Sequence, residues 1–309
     1  MTNITLKQLR YFEALARHGH FGHAADACAI SQPALSMQIR ELEDQLGSEL
    51  FDRSARQVRL TNFGEEFASR VRGILRAVDE VGDLARALQD RLVGRLRLGV
   101  IPTIAPYLLP RLIADLSRSH PGLDIHVRET VTSRLIEDLG EGRIDAAILA
   151  LPVSEPDLAE TALFDENFVL VRPAADEGQP VPSRETLREM RLLLLAEGHC
   201  FRQQALSFCN LHAAPPRELL DASSLSTLVQ MVSAGIGVTL IPEMAVEVET
   251  RSAAVSIARF RNPQPSRTIG MVWRRTSPLV KHLEDIARIV RQSAQTKSAA
   301  RPRPKSRAA

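Results

Sequence analysis

The chain of 309 residues is long enough for two or three ordinary domains, and 44% hydrophobic with 25% charged residues is an ordinary globular balance. No run of about 18 apolar residues occurs, which argues against a transmembrane helix, and the opening MTNITLKQLRYFEAL lacks the pattern of an export signal, so a cytoplasmic location is expected. The net charge of +2 hides its placement: residues 291–309 hold six basic residues and no acid, while residues 1–60 carry seven of each sign. Bulk charge therefore makes no case for nucleic-acid binding, and any such case must come from a motif.

Residues 6–47 read as helix, helix, turn, helix. LKQLRYFEALARH places Leu6, Leu9, Phe12, Leu15 and Ala16 at helical spacing. GHFGHAADACA reads as a short helix whose alanines permit close packing, with Cys28 as a small buried packer. In ISQPALSMQIRELEDQLG, Ser31 is an N-cap, Pro33 falls in the first turn and Gly47 ends the helix. Leu35, Ile39, Leu42 and Leu46 make its core stripe, and Gln32, Pro33, Ser36 and Arg40 occupy the opposite face. A recognition helix presents its N-terminal residues to base edges in the major groove, and these residue types suit that task. FDRSARQVRLTNFG then places Arg53, Arg56 and Arg59 on a two-stranded wing suited to phosphates or the minor groove. The plainer alternative is a three-helix packing unit with a solvated polar face.

The stretch LRYFEALARHGHFGHAADACAISQPALSMQIRELEDQLGSELFDR resembles the winged helix-turn-helix of LysR-type transcriptional regulators, and the similarity continues over nearly the whole chain. The resemblance implies base contacts from Gln32, Pro33 and Ser36 and a wing position for Arg56. Met37 stands where many members of that family carry arginine, which departs from the expected set of DNA contacts.

A long helix is expected from Thr61 to about Leu92. Phe67, Val71, Ile74, Val78, Val81, Ala85, Leu88 and Leu92 alternate spacings of four and three, an a/d seam of about three heptads. Such a narrow stripe needs a partner: a second copy, or else packing on its own chain. The family uses this helix to dimerise. A dimer would set two recognition helices on an interrupted near-palindrome of promoter DNA; a homotetramer and recruitment of RNA polymerase are carried over from the family.

Beyond it, strands alternate with amphipathic helices. Strand candidates are residues 95–101, 123–129, 145–151, 167–172, 191–196, 237–241 and 269–273; helices are expected over 107–118, 134–140 and 224–234. The alternation argues for α/β with mostly parallel sheets. The resemblance implies a multi-domain chain: a helical winged helix-turn-helix, a linker helix, then a periplasmic-binding-protein-like regulatory domain of two Rossmann-like subdomains around a cleft. The expected division is 1–61 for DNA binding, 62–93 for the linker helix and 94–293 for the regulatory domain. Within the last, one subdomain is 94–165 with 268–293 and the other 166–267; the basic tail 294–309 is expected to be disordered. Gly235 and Gly237 read as a tight helix-to-strand turn, because the third glycine of a dinucleotide fingerprint is missing.

GHCFRQQALSFC holds Cys200 and Cys209. On one helix their Cα atoms would stand about 13 Å apart along the axis and face opposite ways, whereas a disulfide needs Cα atoms within about 7 Å. Bonding them would therefore require remodelling. Inert core cysteines and a zinc clip with His199 and His212 are the alternatives, although the spacings fit no usual structural-zinc pattern. This stretch, with IPTIAPYLLP, is similar to the hydrogen-peroxide-sensing members of the LysR family. That implies Cys200 as the peroxide-reactive thiolate and Cys209 as the resolving thiol. Thr103, Thr132 and His199 would bind peroxide, with no cofactor or metal. It further implies antioxidant target genes and a thiol reductant of the glutaredoxin or thioredoxin type. On residue types alone Thr103 is a turn former and Thr132 a helix N-cap. Two rival readings are a metabolite-sensing regulator with inert cysteines and a thiol peroxidase; the DNA-binding motif counts against an enzyme.

Overall fold

Each helix of the N-terminal region begins and ends where the chain supplies a cap. Thr5 and Gln8 form a reciprocal capping box at the start of α1 (Leu6–His18), and Gly19 closes it in the left-handed conformation. After α2 (Phe21–Ala27) comes α3 (Gln32–Leu46), where the Ser31 hydroxyl accepts from the Ala34 N–H at 3.4 Å and Gly47 ends the helix at φ 66°. Strands β1 (Phe51–Asp52) and β2 (Arg59–Leu60) pair antiparallel, and α4 (Asn62–Ala87) follows. The computed structural model describes residues 4–52, 58–89, 92–209 and 221–299, and it divides into a unit ending at Ala85 and a unit beginning at Arg86.

The first unit is closed by one apolar cluster. Leu9, Phe12 and Leu15 of α1 meet Leu35, Ile39 and Leu42 of α3, with Ala24 and Ala25 of α2 allowing close approach. Phe12 packs on Phe51 and, edge-on, on Phe67, with ring centroids 5.3 and 5.0 Å away. The buried Glu43 carboxylate accepts the Leu50 N–H at 2.9 Å and so pins the end of α3 to the first wing strand. Cys28 is only half-buried, at the C-cap of α2, where burial pushes its thiol up from the ordinary range. Leu6, placed in the buried stripe by its spacing, is exposed.

Along α4, Phe67 and Val71 pack into this cluster, whereas Ile74 and Val81 are exposed, as is Leu88 just past the helix end. The seam is shorter than its spacing predicts. The helix ends at Ala87, and Leu92 is fully buried in the core of the second unit.

In the second unit β3 (Gly94–Val100) leads through α5 (Ala105–Ser119) to β4 (Leu123–Glu129), then through α6 (Thr132–Gly140) to β5 (Ala146–Leu151). The long strand β6 (Leu158–Pro173) follows, then α7 (Arg184–Glu189), β7 (Leu194–Leu195), α8 (Cys200–Phe208) and β8 (Asp221–Ala222). The chain continues with α9 (Leu225–Ser233), β9 (Thr239–Pro242), α10 (Val246–Glu249), β10 (Val255–Arg259), β11 (Ser266–Arg274) and α11 (Val280–Ala299). β3 pairs in parallel with β4 and β5, and β11 lies antiparallel between β5 and the first part of β6. From Phe168 onward β6 leaves β11 and takes β9 and β10 as antiparallel partners. One strand thus runs out of one apolar core, around Leu96, Leu98, Ile148 and Met271, into a second around Leu170, Leu193, Val229 and Ile241. The chain returns between β10 and β11.

The expectation of mostly parallel sheets is corrected here. Only β3 with its two neighbours and β7 with β8 are parallel strand pairs among the described residues. β11 comes back from the second core rather than through a βαβ crossover, so the right-handed parallel rule does not govern it. Gly235, at φ 76°, makes the turn after α9. α11 runs through Ala299, into the tail expected to be disordered, because Ser293 is buried with its hydroxyl on Asp115 and carries the helix past that point. No helix among the described residues is long and apolar enough to cross a membrane.

Candidate functional site

The exposed row on α3 follows from helical geometry. Gln32, Ser36 and Arg40 lie four residues apart along one flank of the helix, beside the buried row of Leu35, Ile39 and Leu42. Gln32, Pro33 and Arg40 are exposed, Ser36 is half-buried, and Met37 projects beside them. Arg53 and Arg56 lie outside the described residues. Arg59 is exposed on β2.

The second site sits at the carboxyl ends of parallel strands, where open α/β sheets place ligands. β3 ends at Val100, and the loop that follows carries Thr103 into α5; β4 ends at Glu129, and α6 begins at Thr132. From the other core, Gly198 at φ 93° turns the chain so that His199 caps α8 and Cys200 is its first residue. Thr103, Thr132, His199 and Cys200 thereby line one narrow, closely packed crevice, with Ile101, Pro102, Val131 and Phe201 as its apolar walls. The N-terminal ends of α6 and α8 both bring first-turn N–H groups towards it, a setting that favours negative charge.

Hydrogen-bonding capacity at this crevice is partly committed and partly open. Thr103 is buried, and its hydroxyl oxygen accepts from Nη1 of Arg267 at 2.9 Å. A guanidinium only donates, so the Thr103 O–H keeps its proton for another acceptor. The Thr132 hydroxyl is buried with no partner among the described residues. Thr132 is not the N-cap expected for it: Val131 holds that position and offers no oxygen, so the Thr132 hydroxyl is left over. Burial pushes the His199 imidazole below the ordinary histidine range, so near pH 7 the ring is neutral, with one donor and one acceptor. A small ligand carrying both O–H donors and oxygen acceptors suits such a set.

Two residues the sequence reading passed over hold this arrangement. Arg267 on β11 and Glu166 on β6 form a buried ion pair, Nη2 to Oε2 at 2.8 Å, and Arg267 also bonds the Thr103 carbonyl at 3.2 Å. Glu166 takes the Met244 N–H at 3.2 Å, and burial outweighs Arg267 in pushing its carboxyl up from the usual range. The guanidinium lies 5.3 Å from the ring centre of Phe201, the neighbour of Cys200. A signal existed: Arg267 shares strand parity with Ile269 and Met271, and Glu166 with Phe168 and Leu170.

Neither Cys200 nor Cys209 is joined in a disulfide. Cys200 is half-buried at the crevice; Cys209, the C-cap residue of α8, is wholly buried in the second core. α8 separates them by about 13 Å along its axis. That distance also keeps Cys209 from sharing a metal with His199 and Cys200, and His212 lies outside the described residues.

The sequence matches two family profiles: a bacterial regulatory helix-turn-helix of the LysR family over residues 6–65 and a LysR substrate binding domain over 89–295. The DNA-binding transcriptional dual regulator OxyR of Escherichia coli K12 is 40% identical over 293 residues, covering 93% of this chain and 95% of the relative. Among solved structures, a cysteine-to-aspartate variant of full-length OxyR from Pseudomonas aeruginosa matches with a TM-score of 0.75 at 38% identity, covering 94% of this chain and 95% of that one. A hydrogen-peroxide-bound cysteine-to-serine variant of OxyR from Corynebacterium glutamicum matches with a TM-score of 0.67 at 33% identity, covering 99% and 98%.

Proposed function

Since the chain belongs to the LysR family of DNA-binding transcriptional regulators, we propose that it senses hydrogen peroxide at Cys200 and answers by bonding Cys200 to Cys209. The observation that carries this reading is the crevice itself: three hydrogen-bonding side chains, Thr103, Thr132 and His199, meet the half-buried thiol of Cys200 at the start of a helix. Hydrogen peroxide is two O–H groups on a single O–O bond. The Thr103 O–H donates to one oxygen, and the unpartnered Thr132 hydroxyl and neutral His199 meet the other. The thiolate attacks, the O–O bond breaks, and Cys200 becomes a sulfenic acid that condenses with Cys209.

The distance between the thiols converts this chemistry into shape. Bonding them requires α8 to unwind, and α8 packs on the second core through Phe201, Ala205 and Cys209. The exposed Ile74, Val81 and Leu84 of α4 support a homodimer along that helix, and the response passes to paired recognition helices on promoter DNA. Gln32, Pro33, Ser36 and Arg40 read base edges there, with Arg53 and Arg56 on the backbone or minor groove. Assembly as a tetramer, contact with RNA polymerase, antioxidant target genes and recycling by a glutaredoxin- or thioredoxin-type reductant belong to the same proposal.

Footprinting the reduced protein on its own promoter tests it. One equivalent of hydrogen peroxide is expected to shift the protected half-sites, and a thiol reductant to restore them. A footprint indifferent to peroxide but moved by a small metabolite would refute the sensing role.

A further inference from the structure

The C-terminal end of α8 is held from outside the helix. The last carbonyls of a helix have no intrahelical donor, and that of Cys209 accepts the Nε–H of Arg188, in the last turn of α7, at 2.9 Å. A guanidinium there also complements the negative end of the helix. The first turn has its own tie: Nη1 of Arg202 donates to the Leu195 carbonyl at 2.8 Å and pairs with Asp221, joining α8 to β7 and β8. The two ties differ in what oxidation asks of them. Bringing Cys209 within bonding reach of Cys200 means unwinding the last turns of α8 and carrying the Cys209 carbonyl away from Arg188. The first turn, with Arg202, can stay.

We propose that Arg188 is a positioning residue that sets how long oxidised Cys200 waits for its resolving thiol. By holding the Cys209 carbonyl it stabilises the helical arrangement in which the sulfurs are apart. This rests on the Cys200–Cys209 reading above. In the first step the Cys200 thiolate bonds to one peroxide oxygen, the O–O bond breaks, and hydroxide leaves as water once protonated. In the second, the Cys209 thiolate attacks the sulfenic sulfur, the S–S bond forms, the S–O bond breaks, and the departing hydroxide takes up the proton the thiol gave. Peroxide is reduced by two electrons and the two thiols are oxidised by two. Arg188 acts on the second step alone.

Stopped-flow and quenched mass spectrometry on full-length Arg188→Met separate the steps. The first phase, proportional to peroxide concentration, is expected within about twofold of wild type. The second, independent of peroxide, is expected about three- to tenfold faster, the effect of losing one partly solvated hydrogen bond. Arg188→Lys, which keeps a charged donor, is expected to fall between. Arg188 is exposed, and a folding defect would show in the first phase, where none is expected. Hydrogen exchange of the reduced proteins gives a second readout without peroxide: amides at the end of α8 exchange faster in Arg188→Met. A wild type that forms the bond while Arg188→Met matches it in both measurements overturns this proposal alone. A wild type that reaches sulfenic acid but never the bond overturns the disulfide reading and this proposal with it.

Discussion

Cys200→Ser is expected to lose peroxide-driven thiol oxidation completely, with no disulfide formed and no change in the DNA footprint. A hydroxyl stays protonated where a thiol ionises, and it has no sulfenic state to pass to a partner. The substitution is near-isosteric at a half-buried position, so the fold and the reduced-state footprint stay as they are. Cys209→Ser has a different outcome, because oxidation proceeds at Cys200 and stops at the sulfenic acid, which a dimedone-type trap captures. Cys28→Ser leaves both steps unaltered, since burial pushes that thiol up and keeps its thiolate scarce. Thiol titration against stoichiometric peroxide checks all three. Wild-type oxidation in Cys200→Ser would remove this residue from the mechanism.

Arg267→Met carries the largest expected cost in stability. It leaves the Glu166 carboxylate buried without its ion-pair partner and withdraws the donor that orients Thr103. Breaking one side of a buried pair costs about 3–5 kcal/mol, which lowers the melting temperature on the order of 10 °C in a domain of this size. The sign of its pH dependence follows from Glu166. Its folded carboxyl already lies above the ordinary range through burial, and losing Arg267 raises it further. A carboxyl raised on folding favours the folded state below its unfolded value and opposes it as pH rises. The deficit of Arg267→Met is therefore greatest near neutral pH and shrinks towards pH 5. Glu166→Gln with Arg267→Met is expected to recover much of the melting temperature and little of the peroxide rate. Recovery of both would reduce the pair to a structural role.

The parts of this architecture written locally were legible in the sequence. Ser31 and Gly47 bound α3 because a hydroxyl and a left-handed glycine are short-range devices, and the row of Gln32, Ser36 and Arg40 needs only helical periodicity. The convergence of Thr103, Thr132, His199 and Cys200 came from a resemblance. No spacing rule predicts that loops about 30 and 70 residues apart meet; the parallel placement of β3 and β4 brings the two threonines together, and the turn at Gly198 brings His199 and Cys200 to them from the second core. Arg267 and Glu166 escaped notice because both fall just outside the strands expected over 167–172 and 269–273, where a charge reads as solvated; their strand parity pointed inward, and the fold shows the two side chains meeting. The direction of β11 was equally hidden, since alternation of helix and strand does not say from which core a returning strand arrives. Thr132 shows the reverse case. Its residue type suggested a cap, and helix geometry moved the cap to Val131, leaving the hydroxyl for the crevice.

The central claim is that peroxide joins two thiols which the helix holds apart. Mass spectrometry of a non-reducing digest, made after brief exposure of the full-length reduced protein to one equivalent of hydrogen peroxide, tests it most directly. The account predicts a cross-linked peptide joining Cys200 to Cys209 with Cys28 free. Cys200 recovered as a thiol, or a bond that includes Cys28 instead, would contradict it.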